Sequence, residues 1–190
     1  MISASRSLVD NVGQAAKSVP VVVAGAALMT LAAKVQIPFW PVPMTLHTLA
    51  VMGFAARLGP RVATSIFLTY LALGAAGFPV FSGSPERGIG LAYMAGPTGG
   101  YLFGFLIASW LVGTLAAGRG FFGTFASMLV GLGVTYAMGV IWLAQFVPFE
   151  KLLAYGFTPF ILGDLVKIGI AATTCTLIAN LRKSHRGEEQ

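Results

Sequence analysis

The sequence predicts an all-α integral membrane protein of six transmembrane helices, and three observations carry that prediction. First, the 190 residues hold only 12 basic and 6 acidic side chains, 9% of the chain, where soluble domains carry about 25%. With 56% hydrophobic residues and a mean hydropathy of +0.82, a water-soluble surface cannot be tiled, which excludes an ordinary soluble enzyme. Second, the few charges are separated by apolar runs near the ~20 residues that a bilayer crossing requires. This length suits about six spans with short loops, not a transporter of ten or twelve helices in one chain. Third, the basic residues sort to one side of the resulting topology. The chain reads as one membrane domain over residues 1–190. Residues 1–17 are expected as a cytoplasmic N-terminal segment and residues 182–190 as a cytoplasmic tail.

The charge-free runs place the elements in order. Ser18 to Ala33 gives helix 1. The polar lead from Arg6 to Lys17 is long, and no clear small-residue cleavage site precedes Lys34, so a retained span is expected, not a signal peptide. Helix 2 is expected from near Pro43 to Ala56, because Pro38, Pro41 and Pro43 break the start of that run and proline suits a first helical turn. Helix 3 lies within Val62 to Pro85 and ends near Gly77-Phe78-Pro79. Gly88 to Gly118 is too long for one span and glycine-rich at its start, so helix 4 begins near Gly99. Gly120 to Phe149 holds helix 5. Helix 6 begins after Pro159 and runs to Leu181, with Asp164 and Lys167 inside it.

Six spans put both termini on one side. That side takes Arg6, Lys17, Arg57, Arg61, Arg119, Arg182, Lys183 and Arg186, whereas the other takes Lys34, Arg87 and Lys151. The positive-inside bias then makes both termini cytoplasmic. It also explains the net charge of +6 without nucleic acid, since no basic run exceeds Arg182-Lys183. Eight of the ten prolines fall in the three outer connections, at 34–43, 78–99 and 148–159. Stiff, irregular backbone on one face builds shaped surfaces as well as helix ends.

Asp164 and Lys167 are the strongest local signal. Three residues apart, they share one face of helix 6. A charge at the bilayer centre costs ~2.5–3.5 kcal/mol on insertion scales and usually faces a cavity or the bundle interior. The pair is either a structural ion pair or the polar end of a ligand pocket open to the outside. Gly96-Pro97-Thr98-Gly99-Gly100-Tyr101 is the second signal. It is no Walker A loop, because no Gly-Lys pair occurs in the chain. Gly96, Gly99 and Gly100 serve either a turn or close approach to a ligand. Gly104 and Ala108 suit helix packing. Phe39, Trp40, Tyr93 and Tyr101 stand at depths where interfacial aromatics are common. His47 has no second His or Cys partner, which argues against a metal site. Cys175 alone permits no intrachain disulfide and reads as an inert thiol. Ser82 and Ser84 lack a Gly-x-Ser-Gly signature, so an intramembrane serine protease is not supported.

Three motifs together resemble one family. Pro41-Val42-Pro43-Met44-Thr45-Leu46, Ala95-Gly96-Pro97-Thr98-Gly99-Gly100-Tyr101 and Pro159-Phe160-x-x-Gly163-Asp164-x-x-Lys167 are similar to the BioY family, the biotin-binding S components of energy-coupling factor transporters. The resemblance implies an S-component-like six-helix bundle in the cell membrane that captures biotin from outside and is not an enzyme. It implies partnership with a transmembrane T protein and ATPase subunits, so ATP is hydrolysed only by partners and no cofactor is expected. The implied ligand set is Asp164, Lys167, Gly96, Gly99, Gly100, Tyr101, Phe39, Tyr93 and His47. His47 stands where the family motif has Gln. Asp164 and Lys167 suit the donors and carbonyl of the ureido ring; alternatively Lys167 takes the carboxylate. On helix 1, where S components often show Ala-x-x-x-Ala for docking, the nearest pair is Ala26 and Thr30. The competing expectation is a self-sufficient, homo-oligomeric carrier with Asp164 as a proton site.

Overall fold

The computed structural model describes the backbone of residues 2–187 and the side chains of residues 18–182 and 184. Its elements run α1 (Ile2–Lys34), β1 (Gln36–Ile37), β2 (Met44–Thr45), α2 (His47–Ala75), α3 (Gly90–Met94), α4 (Gly99–Leu115), α5 (Phe121–Leu143), a 3₁₀ turn (Phe149–Lys151), α6 (Leu152–Gly156) and α7 (Thr158–Gly187). The expected cytoplasmic ends, 1–17 and 182–190, lie almost wholly outside the described side chains.

α2 is two helices in one. At Gly59 the backbone takes φ 78° and ψ 174°, a conformation open mainly to glycine, and Pro60 follows at a first-turn position. The chain reverses there. His47 and Tyr70, 23 residues apart, meet at 3.0 Å between Nε2 and the hydroxyl. A straight helix would hold them ~35 Å apart at 1.5 Å per residue. The halves 47–58 and 60–75 are therefore the second and third helices. With α1, α4, α5 and α7 they make the six expected from the sequence. Three stretches are long and apolar enough to cross a membrane by length and composition: 47–75, 121–143 and 149–182. The first of these is the folded pair, whose arms are short for a crossing of ~20 residues. The second arm ends in a Schellman motif. Gly77 adopts φ 94°, its N–H donates to the Gly74 carbonyl at 3.0 Å and that of Phe78 to Leu73 at 3.2 Å.

Several boundaries differ from the sequence reading. α1 is helical from Ile2, well before Ser18. Helix 2 starts at His47, because Pro41 to Pro43 belong to a small hairpin in which Gln36 pairs with Thr45 and Ile37 with Met44. Pro41 and Pro43 supply no amide hydrogen, so this segment is held largely by its flanks. The connection 78–99 contains the short α3, and α7 begins at Thr158 with Pro159 in its first turn.

Small residues let the helices close. A Cβ on Gly104 would lie 2.7 Å from the Thr135 Cα, and one on Gly113 would lie 2.6 Å from the Pro60 Cα. Ala108 is wholly buried. The packing role expected for Gly104 and Ala108 is the one found. Two apolar clusters result. One joins α2, α4, α5 and α7 around Met52, Val112, Met128 and Ile168. The other joins α1, α2 and the outer loop around Met29, Phe67, Phe81 and Tyr93.

Two of the three basic residues expected on the outer side, Lys34 and Arg87, act as ties. Lys34 Nζ donates to the Phe81 carbonyl at 3.1 Å, the Ser84 carbonyl at 2.8 Å and the Ser84 hydroxyl at 3.1 Å. Arg87 donates to the Phe39 and Pro41 carbonyls at 2.9 and 3.3 Å. The end of α1, the hairpin and the loop 78–89 thus form one connected cap. Lys34→Met removes three donor contacts while keeping the apolar stem. We expect amide exchange at Ser84 and Arg87 to speed up on the order of tenfold, since a charged hydrogen bond is worth ~1.5–3 kcal/mol. Unchanged exchange by mass spectrometry would show that the tie carries no weight.

Candidate substrate-binding site

Beneath this cap lies a cavity of about 50 Å³. Its polar wall is built from α7, α5 and the hairpin. Asp164, 6% exposed, receives a hydrogen bond from Lys167 Nζ on Oδ1 at 2.9 Å and from the Tyr136 hydroxyl on Oδ2 at 2.7 Å. Lys167 also donates to the Thr45 carbonyl at 2.7 Å. One of the three ammonium donors remains. The i, i+3 spacing sets Asp164 and Lys167 side by side, as the sequence requires. Gly163 brings Met44 close, since a Cβ there would sit 2.9 Å from the Met44 methyl. That closeness carries β2 to within reach of Lys167.

A second chain of bonds runs through the histidine. The Thr45 hydroxyl pairs with His47 Nδ1 at 3.1 Å, and His47 Nε2 pairs with the Tyr70 hydroxyl at 3.0 Å. The apolar wall is aromatic: Tyr101, Phe105, Phe160 and Tyr93. Tyr101 is fixed by donating to the Gly156 carbonyl at 2.6 Å. Tyr93 stacks on Phe81 with centroids 4.7 Å apart, and burial raises its hydroxyl above the usual tyrosine pKa, so it stays a neutral donor and acceptor. Among the described residues, no three His, Cys, Asp or Glu side chains gather as a metal site.

The residues singled out from sequence divide into three groups. Asp164, His47, Tyr93 and Tyr101 line the cavity. Lys167 stands directly behind Asp164 and does not itself line it. Gly96, Gly99, Gly100 and Phe39 lie off the wall. The Gly96 carbonyl accepts from Trp142 Nε1 at 2.9 Å, and a Cβ on Gly99 would fall 1.9 Å from the Met94 carbonyl oxygen. On Gly100 it would fall 2.2 Å from the Trp142 Cβ. These glycines seat the turn and the α4–α5 contact. Phe39 packs edge-on against Phe160 at 6.1 Å. On α1, Ala26 is 1% exposed and faces the bundle, and Thr30 turns its hydroxyl back to the Ala26 carbonyl at 3.0 Å. Among the described residues of α1, Ala24 and Ala27 are the exposed alanines.

Sequence reasoning passed over Tyr136, which is the second donor to Asp164. Its signal was a hydroxyl-bearing pair, Thr135-Tyr136, in the middle of an otherwise apolar span. Phe105 and Phe160 are indistinguishable in sequence from packing aromatics.

The BioY family profile matches residues 5–184. The chain belongs to the BioY family. Among BioY relatives, the "Biotin transporter BioY" of Thermotoga maritima is 41% identical over 148 residues, covering 77% of this chain and 86% of that one. The "Probable biotin transporter BioY" of Pyrococcus horikoshii is 40% identical over 164 residues, covering 86% and 94%. A crystal structure described as the S-component for biotin from an ECF-type ABC transporter superposes with a TM-score of 0.76 at 26% identity, covering 88% of this chain and 93% of that chain. The BioY chain is accordingly a multi-pass membrane protein with the S-component fold, related to transporters and not to enzymes.

Proposed function

We propose that this BioY protein is the biotin-capture subunit of an energy-coupled uptake system, held in the cytoplasmic membrane with both termini inside. The observation that carries the reading is the buried Asp164, oriented by Lys167 and Tyr136 on the wall of a capped cavity. A carboxylate offers about four lone-pair sites, and two are used. The remainder suit an N–H group of a ureido ring. Lys167 acts from behind the wall by fixing the Asp164 carboxylate, and Tyr101, Phe105 and Phe160 suit the thiophane ring. Binding to Asp164 would orient the ligand without chemistry on it. ATP hydrolysis would belong to ATPase subunits that act through a T protein. The relatives named as biotin transporters and the matching biotin S-component structure support this over a self-contained proton carrier.

The test is biotin titration of the purified protein by calorimetry, with Tyr136→Phe beside it. We expect saturable binding of one biotin per chain. Loss of the Tyr136 hydroxyl removes one bond to a charged group, worth ~1.5–3 kcal/mol, so affinity should fall about tenfold or more. Absence of binding by the wild type overturns the reading, and wild-type affinity in Tyr136→Phe removes this tyrosine from it.

A further inference from the structure

At the opposite end of the bundle two spaces meet, and Arg57 stands at their junction. One is a cavity of about 440 Å³ between the Arg57–Gly59 turn, the α4–α5 connection around Arg119, and Asn180 of α7. The other is a groove of about 420 Å³ between α2 and α7, walled by apolar side chains such as Leu49, Phe54 and Ile178. Arg57, Leu58 and Cys175 line both. Arg57 Nη2 is buried and, among the described residues, is the one buried side-chain nitrogen or oxygen without a hydrogen-bond partner. A buried charged donor left unmatched is costly. No described carboxylate stands at this end: Glu86 and Glu150 belong to the outer loops and Asp164 to the capped cavity. An acceptor from outside the described residues would match it, and an anion would match its charge as well.

The shape of the combined space narrows the ligand. A free phosphate would use the polar cavity and leave the groove untouched. An amphiphile with an anionic head beside an alkyl chain fits both. We propose that an anionic phospholipid binds here, its phosphate on Arg57 and Arg119 and one acyl chain in the groove between α2 and α7. The positive-inside reading makes this the cytoplasmic leaflet, whose anionic lipids attract basic residues. Gly53 lies on the groove wall, and a Cβ there meets nothing within 4 Å. The groove therefore has room beside α2 at the depth of an acyl chain.

The experiment is native mass spectrometry of the purified full chain titrated with phosphatidylglycerol, phosphatidylcholine or inorganic phosphate. One phosphatidylglycerol should be retained per chain, in preference to phosphatidylcholine. Arg57→Gln should weaken its retention about tenfold, the effect of one charged hydrogen bond. Gly53→Leu fills the groove and should weaken lipid retention while leaving any binding of inorganic phosphate unchanged. Circular dichroism and monodispersity report the fold of each variant independently of biotin. Should Arg57→Gln not fold, Gly53→Leu decides. Equal retention of both phospholipids overturns the proposal. So does phosphate binding with no lipid preference, which would assign a free-anion site, or lipid retention indifferent to both substitutions.

Discussion

Asp164→Asn is expected to lower biotin affinity on the order of a hundredfold and to destabilise the protein by ~3–5 kcal/mol. The two effects have separate causes. The amide keeps the shape but loses the charge, so a ligand N–H meets a neutral acceptor, and charged acceptors contribute ~1.5–3 kcal/mol per bond. The amide also turns one donor toward Lys167 Nζ or the Tyr136 hydroxyl, which now sit 2.9 and 2.7 Å from carboxylate oxygens. Lys167 is left charged and half-buried without its counter-ion, the situation for which ~3–5 kcal/mol is typical. A double variant separates a binding group from a structural ion pair. Asp164→Asn with Lys167→Met removes both charges, and such apolar replacement is often neutral for stability. We expect it to restore thermal stability and not biotin binding. If binding returns with stability, the pair only holds α7 in place.

Gly104→Val is expected to cost ~3 kcal/mol or more, at the upper end for overpacking, and to abolish biotin binding without touching the cavity. The added Cβ would lie 2.7 Å from the Thr135 Cα and 3.0 Å from its carbonyl oxygen. Backbone, unlike a side-chain tip, cannot swing aside, so α4 and α5 must separate. The flanking residues Leu102 and Phe105 line the cavity beside Thr135 and Tyr136, and that wall opens with them. Gly133→Ala on α5 is the control, because a Cβ there meets nothing within 4 Å. Equal recovery and equal binding for the two variants would contradict the packing account.

Much of this architecture was legible because the bilayer writes strongly in sequence. Charge-free runs marked the helices, and the scarcity of intramembrane charge drew attention to Asp164 and Lys167. Their contact needed only helical spacing. Contacts between distant segments were less legible. Tyr136 reaches Asp164 across 28 positions, and its mid-span place beside Thr135 marks a polar spot without naming the partner. Gly96, Gly99 and Gly100 show a different limit. A missing side chain records that something comes close, without saying whether that neighbour is a ligand or, as here, Trp142 and the Met94 carbonyl. Ala26 shows the same on α1: small residues serve packing inside the bundle as readily as docking outside it. The reversal at Gly59 falls in the gap left between helix 2, ending at Ala56, and helix 3, starting at Val62, where Gly-Pro marks a turn.

The size of the capped cavity has a kinetic meaning. About 50 Å³ is room for a few water molecules, each needing ~10–15 Å³ on this measure. If the chain takes biotin as proposed, the ligand needs more room than this and would enter from a state in which the cap tied by Lys34 and Arg87 stands further out. The population of that open state divides the intrinsic affinity, and the frequency of opening limits association below the usual encounter rate. The same closure delays departure once the ligand is inside. Under the proposed capture role, long residence between turnovers of a separate motor would matter more than fast exchange, and Lys34 and Arg87 would set that clock.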